Sequence, residues 1–147
     1  MNDQQVFNFN TPVEGNKAKT SAEKLIELCE DLLKYRIDIE ASLVYADNSH
    51  TFDDVSNMVV SGRLHLYPLA NSFVIMERQQ YPQHAVYHCF LAGGDKYEIE
   101  AAEPMILANA KALKCKHMTI VGRGGWVREL RHNGWKHKYS VLSKEVV

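Results

Sequence analysis

The sequence predicts an α/β (α+β) domain with a mixed central sheet and flanking helices. Apolar residues recur at helical spacing over 21–34, which indicates an amphipathic helix. Two runs rich in β-branched and aromatic residues, 73–78 and 85–91, indicate strands. A second helical pattern then leads into an apolar strand at 118–121. Strand, helix and strand in this order require parallel pairing and a right-handed crossover, beside strands that pair antiparallel.

The chain has 147 residues, a length typical of one domain with a single core. Hydrophobic residues make up 46% and charged residues 24%, and no apolar run approaches the ~20 residues of a membrane span. We therefore expect a soluble protein with no membrane partner. The first residues lack a basic segment followed by an apolar one, so secretion is not indicated. Cys29, Cys89 and Cys115 lack paired spacing, which favours buried free thiols in a reducing cytoplasm.

The first third of the chain predicts an arm followed by a helix. Residues 1–19 are polar and aperiodic, and we interpret them as a flexible arm, which leaves 20–147 as the folded domain. Thr20 or Ser21 can cap the first helix by accepting backbone N–H bonds. We expect its apolar stripe to face the core; the alternative is a surface that binds a partner.

Two further segments precede the sheet. Residues 37–45 fit either a continuation of the first helix or a short strand, and helix is favoured. Thr51, with Asp53 in the first turn, predicts the start of a helix that runs to about Val60 and ends at Gly62.

The middle of the chain predicts an antiparallel meander of three strands. They are 64–67, 73–78 and 85–91, separated by turns that contain Pro68 and Pro82.

Beyond the meander, helical and β-prone segments alternate. One helical turn is predicted at 96–101, and Pro104 suits the first position of a helix because its missing N–H costs nothing there. A strand at 118–121, a short helix at 126–132 and a last strand at 138–142 complete the prediction.

Charge is distributed unevenly. From Lys111 to Lys144 there are nine bases and one acid, Glu129, a local balance of 9 − 1 = +8. Such a segment attracts phosphates, either of a nucleotide cofactor or of nucleic acid. A solvated basic face, balanced by the acidic first half, is the alternative interpretation.

The order of elements and several motifs resemble a known family. The run ANAKALKCKHMTIVGRGGWVRELRHNGWK, within the overall order, resembles the GCN5-related N-acetyltransferase (GNAT) fold over roughly residues 20–145. The phrases RQQYP, VYHCFLAGG and GRGGWVRELRHNGW are similar, more narrowly, to small GNAT-like proteins of tailed bacteriophages. The resemblance implies a GNAT-like mixed sheet and an acyl-CoA-dependent N-acetyltransferase.

The resemblance also implies a place for acetyl-CoA. In this fold the pyrophosphate binds the N-terminus of the helix that follows the first of two splayed parallel strands. The cofactor-binding residues implied here are Leu91, Ala92, Gly93, Gly94 and Lys96, with Arg123 and Trp126 beside the second strand. The family's loop carries more glycine and no acid, whereas this one contains Asp95, so the glycine pair is alternatively only a turn.

The family's catalytic positions are partly altered. Leu130 lies where the family commonly has a tyrosine acid, and Arg123 where it has an asparagine. Because leucine cannot donate a proton, other groups must serve as base and acid.

Other residues supply candidates for both roles. Glu77 is the best candidate for the base, with His88 and Glu103 behind it, and Tyr87 or Tyr97 is the candidate acid. Each has a structural alternative: an ion pair for Glu77, a core position for His88 and a half-buried strand position for Tyr87.

No metal site is expected, because His84 and His88 enter a predicted strand and cannot converge. Three hypotheses follow for function: an N-acetyltransferase acting on an amine, a catalytically inactive GNAT-shaped phage protein that binds a virion or host protein, or a nucleic-acid-binding accessory protein. A homodimer through the C-terminal strand is left open.

Overall fold

The computed structural model of the protein describes residues 18–122 and 124–147. Most of the predicted arm, 1–19, therefore lies outside the described residues, and so does Arg123, predicted to bind the cofactor. The assignment of 20–147 to one domain stays a prediction. Among the described residues, no helix is long and apolar enough to cross a membrane.

Three helices precede the sheet, one more than predicted, because the first helical segment is divided at Tyr35. They are α1 (Ser21–Lys34), α2 (Arg36–Tyr45) and α3 (Phe52–Val60), so the ambiguous segment 37–45 is helical. Thr20 and Thr51 each form a capping box, in which the threonine hydroxyl accepts the backbone N–H of a residue three positions later. These side chains fix where α1 and α3 begin.

Four strands form one mixed sheet in the described chain, in the order β1-β2-β3-β4. The strands β1 (Leu64–Pro68), β2 (Phe73–Gln80) and β3 (Ala85–Gly93) pair antiparallel, and β4 (Cys115–Ile120) pairs parallel to β3. Helix α4 (Lys96–Ala112) connects β3 to β4. The predicted α+β class with a mixed sheet and flanking helices is confirmed.

The two faces of the sheet carry separate apolar cores. Alternate residues of a strand point to opposite faces. Phe73 and Ile75 of β2 pack with residues of α1, α2 and α3, whereas Val74 and Met76 pack with residues of α4. The sheet is thus sandwiched between the three N-terminal helices and α4.

The prediction that a new helix begins at Pro104 is wrong. Helix α4 starts at Lys96 and continues to Ala112 with Pro104 inside it. A proline there lacks the N–H that would bond the carbonyl four residues earlier. Burial of Ala102 and Ile106 on either side of the proline, against the sheet, favours the continuous helix despite this local cost.

The prediction of a last strand at 138–142 is also wrong. After β4 the chain forms α5 (Gly124–Leu130) and a 3₁₀ turn (Arg131–Asn133), and Gly134 ends it with a left-handed φ of 85°. The tail that follows has no strand. Tyr139 and Leu142 are 71% and 92% exposed. The apolar residues of this segment therefore do not pack against the sheet, and burial of one face, which would stabilise a strand, is missing.

Two predictions of burial also need correction. Of the apolar residues of α1, Leu32 is buried and Leu28 partly buried in the core, but Leu25, Ile26 and Leu33 are exposed. The three thiols are free, as expected, yet Cys29 is exposed rather than buried.

Candidate functional site

An open cleft lies between the ends of β3 and β4. The last parallel pair of these two strands is Cys89 with Ile120. Strand β3 continues for four more residues and stays paired with β2 as far as Gly93. Residues 90–93 therefore have a neighbouring strand on one side only, and their backbone faces the gap that opens beyond Ile120.

A β-bulge at Phe90 marks the start of this gap. Ile75 pairs with Leu91 and Met76 with Cys89, which leaves Phe90 as the extra residue on β3. Consequently Phe90 and Leu91, although adjacent, both pack with the core on the side of α1 to α3. A bulge of this type bends the strand that carries it, and here it bends β3 where its pairing with β4 stops.

A polar row crosses the sheet beside the gap. Glu77 of β2 pairs with His88 of β3, and His88 in turn pairs with Thr119 of β4. The His88 Nδ1 and Thr119 Oγ1 atoms are 2.9 Å apart. The Gln79 Nε2–H donates to Glu77 Oε1 at 2.9 Å, which orients the carboxylate. Two predicted catalytic residues, Glu77 and His88, are thus brought together.

The environment of His88 suits a proton acceptor. Burial lowers the pKa of its imidazole below the ordinary value of 6.5, and the nearby Glu77 carboxylate partly opposes this by raising that pKa. His88 is therefore neutral at pH 7. In the tautomer whose Nδ1–H donates to Thr119, the Nε2 lone pair is free to take a proton.

The glycine pair at the end of β3 has a structural role. Gly94 has φ of 110°, and a Cβ there would lie 2.5 Å from the Asn71 carbonyl oxygen and 2.5 Å from the Ser72 Cβ. Glu98 of α4 accepts hydrogen bonds from the Asn71 N–H at 2.9 Å and the Ser72 hydroxyl at 2.6 Å. Gly94 thus allows the β1–β2 turn to lie against the start of α4.

The N-terminus of α4 is already partly occupied. The Asp95 carboxylate accepts the Tyr97 N–H at 2.8 Å and so caps the helix. The Lys96 ammonium lies 3.1 Å from Glu129 Oε1 of α5, and this carboxylate raises the lysine pKa. An incoming pyrophosphate would gain the helix dipole but would meet one carboxylate and a lysine that already has a partner.

Three other residues predicted to bind the cofactor lie near the gap, but each packs against a different part of the protein. Leu91 is buried in the core, so its backbone alone faces the gap, and half-buried Ala92 packs on the α4 side. Trp126 of α5 packs against Gly122, where a Cβ would lie 2.9 Å from the tryptophan Cβ. This places Trp126 just beyond the end of β4, on the opposite side of the gap.

The remaining catalytic candidates do not join His88. Tyr97 is 71% exposed on α4. Glu103 accepts a hydrogen bond from the Trp135 indole N–H at 2.6 Å, which ties the tail to α4. Tyr87 is fully buried on the opposite face of the sheet, and burial strongly raises its pKa. Leu130, which the resemblance aligns with a tyrosine, is buried.

Sequence reasoning missed two features of this sheet. Thr119 has no recognisable signal in the sequence, because only the register of β4 against β3 shows that it meets His88. On the α4 face, hydrogen bonds join His65, Tyr87, Tyr67 and Asn109, at 2.6 Å, 2.7 Å and 2.7 Å in that order. The sequence contains one indication of this buried network: Asn109, a polar residue in the apolar face of a predicted helix, needs hydrogen-bond partners if it is buried.

A cavity of about 520 Å³ extends from Glu77 of the polar row toward the end of β3 opposite the gap. Its walls include Arg63, His65, Glu77 and Arg78. Among the described residues, no group of three or more His, Cys, Asp or Glu side chains is arranged to hold a metal ion.

The geometry defines a mixed α+β sheet protein with a gap between two parallel strands and a histidine beside it. Comparison with solved structures finds a neighbour of the same fold, the crystal structure of a point mutant of TTHA1254 from Thermus thermophilus. The two share 10% sequence identity and a TM-score of 0.52, over 67% of this chain and 81% of that chain. No protein-family model matches the sequence, and no curated protein is significantly similar to it.

Proposed function

We propose that the protein is a GNAT-like, acyl-CoA-dependent N-acetyltransferase of the type found in tailed bacteriophages, acting in the host cytoplasm. The observation that carries the proposal is the loss of β3–β4 pairing after Cys89 and Ile120, one residue beyond His88. The gap offers the backbone of 90–93 to an acyl-CoA, and α4 begins directly behind it.

Acetyl-CoA supplies the acetyl group, and an amine accepts it. His88 Nε2 takes the proton from the attacking ammonium, and the neighbouring Glu77 carboxylate stabilises the imidazolium that results. The new bond joins the amine nitrogen to the acetyl carbon, and the carbon–sulfur bond breaks. The proton held by His88 can then pass to the departing thiolate, which removes the need for a tyrosine at Leu130.

Two measurements test this proposal. Calorimetry with CoA and acetyl-CoA measures binding, and thiol release in the presence of an amine panel measures transfer. The variant His88→Gln is expected to keep CoA binding but to lose transfer by ~10²–10⁴-fold, the usual contribution of a general base. His132→Gln, in the exposed 3₁₀ turn, serves as the matched control. Absence of CoA binding at millimolar concentration would sink the proposal.

A second candidate is a GNAT-shaped phage protein without catalysis, which binds a virion or host protein. It is favoured by the Asp95 cap and the Lys96–Glu129 ion pair, both of which compete with a bound pyrophosphate. This candidate predicts co-purification with virions or with one host protein. Clean turnover on an amine would remove it.

Nucleic-acid binding is the third candidate. It is favoured by the exposure of every described base between Lys111 and Lys144. Because phosphate contacts release counterions, retention of DNA or RNA should fall steeply with salt. Failure to retain either at ~50 mM salt would exclude this function.

A further inference from the structure

Helix α1 carries two apolar faces. One faces the core through Leu28 and Leu32. The other is turned to solvent, where Leu25, Ile26 and Leu33 are 47%, 58% and 63% exposed. We call this second face the α1 stripe; it consists of the exposed residues Ala22, Leu25, Ile26, Cys29 and Leu33.

The α1 stripe is continuous. Apart from the adjacent Leu25 and Ile26, its residues are spaced three or four apart and therefore lie on one side of the helix, over a length of ~18 Å at 1.5 Å per residue. Exposed single leucines are ordinary, but an unbroken apolar band on a surface helix usually contacts another molecule. No described part of the chain covers this band.

The spacing of the stripe is symmetrical about Cys29. Leu25 and Leu33 lie four residues before and after it. In an antiparallel pair of α1 helices whose two-fold axis passes Cys29, each Leu25 meets the partner's Leu33. A two-fold interface must be complementary to itself in this way. We propose that two copies of the protein associate through the α1 stripe, antiparallel about Cys29.

The charges beside the stripe support the same register. Glu23 is six residues before Cys29 and Lys34 five after it, so Glu23 and the partner's Lys34 lie within ~1.5 Å of the same level along the helices. Opposite charges are then at the same level at both ends, where Glu23 also accepts the Thr20 N–H at 3.4 Å and Lys34 also donates to the Ala70 carbonyl oxygen at 3.3 Å. Glu30, next to the axis, meets the partner's Glu30, and these like charges weaken the dimer at its centre.

The interface is small. One face of a helix of this length buries less than the ~1,200 Å² of a standard stable interface, so the dimer is expected to be weak and concentration-dependent. The proposal is independent of catalysis, because the stripe lies on α1 and the gap lies between β3 and β4.

Sedimentation of the full chain over a concentration series tests the dimer. Leu33→Glu and Leu25→Glu are expected to raise the dissociation constant at least ten-fold. Leu107→Glu is the matched control, because Leu107 is a 53% exposed leucine on α4, and it should change nothing. Circular dichroism of each variant checks that α1 remains folded, as expected for substitutions at exposed positions.

Two further measurements are specific to the proposed register. Glu30→Gln removes the central repulsion and should lower the dissociation constant, the opposite sign to Leu33→Glu. Mild oxidation should link the dimer through Cys29, and Cys29→Ser should abolish the link while Cys115→Ser leaves it.

The outcomes that would overturn the proposal are distinct. A monomer at every concentration excludes the dimer; if Cys29 then resists alkylation, the stripe is covered within one chain instead. A dimer that is insensitive to Leu25→Glu and Leu33→Glu places the interface elsewhere. A dimer unaffected by Glu30→Gln and without a Cys29 link excludes the antiparallel register.

Discussion

Lys96 and Glu129 form an ion pair between α4 and α5, with 3.1 Å between Nζ and Oε1. Lys96 is one of the residues predicted to bind the cofactor, and Glu129 is the single acid in the basic segment from Lys111 to Lys144. The ion pair therefore connects α4 and α5, which lie on the two sides of the proposed cofactor gap. It also neutralises the lysine charge that a bound phosphate would otherwise contact.

Glu129→Gln should strengthen CoA binding. Freed from its partner, Lys96 can contact a phosphate, and an exposed charge interaction of this kind is expected to change the affinity only about two- to five-fold. Calorimetry at low salt measures the change, and raising the salt should reduce it. Glu145→Gln, in the exposed tail, is the control for net charge. Equal affinities for wild type and Glu129→Gln would show that Lys96 does not contact the cofactor.

Gly94→Ala should destabilise the protein by about 2 kcal/mol or more. The residue has φ of 110°, and an added Cβ would lie 2.5 Å from the Asn71 carbonyl oxygen. Gly125→Ala is the matched control, because a Cβ there meets nothing within 4 Å. Urea unfolding of both variants measures the difference. If Gly94→Ala were as stable as wild type, the close approach of the β1–β2 turn to α4 would be wrong.

The strands were predictable because local sequence determines them. The runs 73–78 and 85–91 combine β-branched and aromatic residues, and the structure extends each by two residues, to Gln80 and Gly93. The start of α4 was not predictable in this way. Pro104 is a strong local signal for a helix start, but packing of Ala102 and Ile106 against the sheet overrides it.

The candidate site could be predicted in composition but not in geometry. Glu77 and His88 can each be recognised from the sequence as a titratable residue on a β-rich run. Their pairing depends on the register of β2 against β3. This register includes a bulge at Phe90, which cannot be predicted from the local sequence. Thr119 meets His88 only through the parallel register of β4, a contact between residues 31 positions apart.

Tyr87→Phe should destabilise the protein by roughly 1–3 kcal/mol. The phenol is fully buried and lies 2.6 Å from His65 Nδ1 and 2.7 Å from the Tyr67 hydroxyl, so the variant removes two buried hydrogen bonds without changing the shape of the ring. Tyr139→Phe, 71% exposed in the tail, is the control and should stay within ~0.5 kcal/mol of wild type. Equal stability of both variants would show that this network does not stabilise the fold.

Stability should fall as the solution is acidified below pH 6.5. Burial lowers the pKa of both His65 and His88 below the ordinary 6.5, so the unfolded chain binds more protons than the folded one in this range. The contribution of the two histidines to the free energy of unfolding is complete above pH 6.5 and is lost as the pH falls through their pKa values in the folded protein.

The variant His88→Gln removes one of these two protonation steps. Its stability should therefore depend less on pH than that of wild type between about pH 7.5 and 5. Urea unfolding across this range provides the measurement. Because the carboxylates are common to both proteins, their effect on the slope cancels in the comparison. A His88→Gln slope as steep as that of wild type would mean that His88 is not titrated on unfolding.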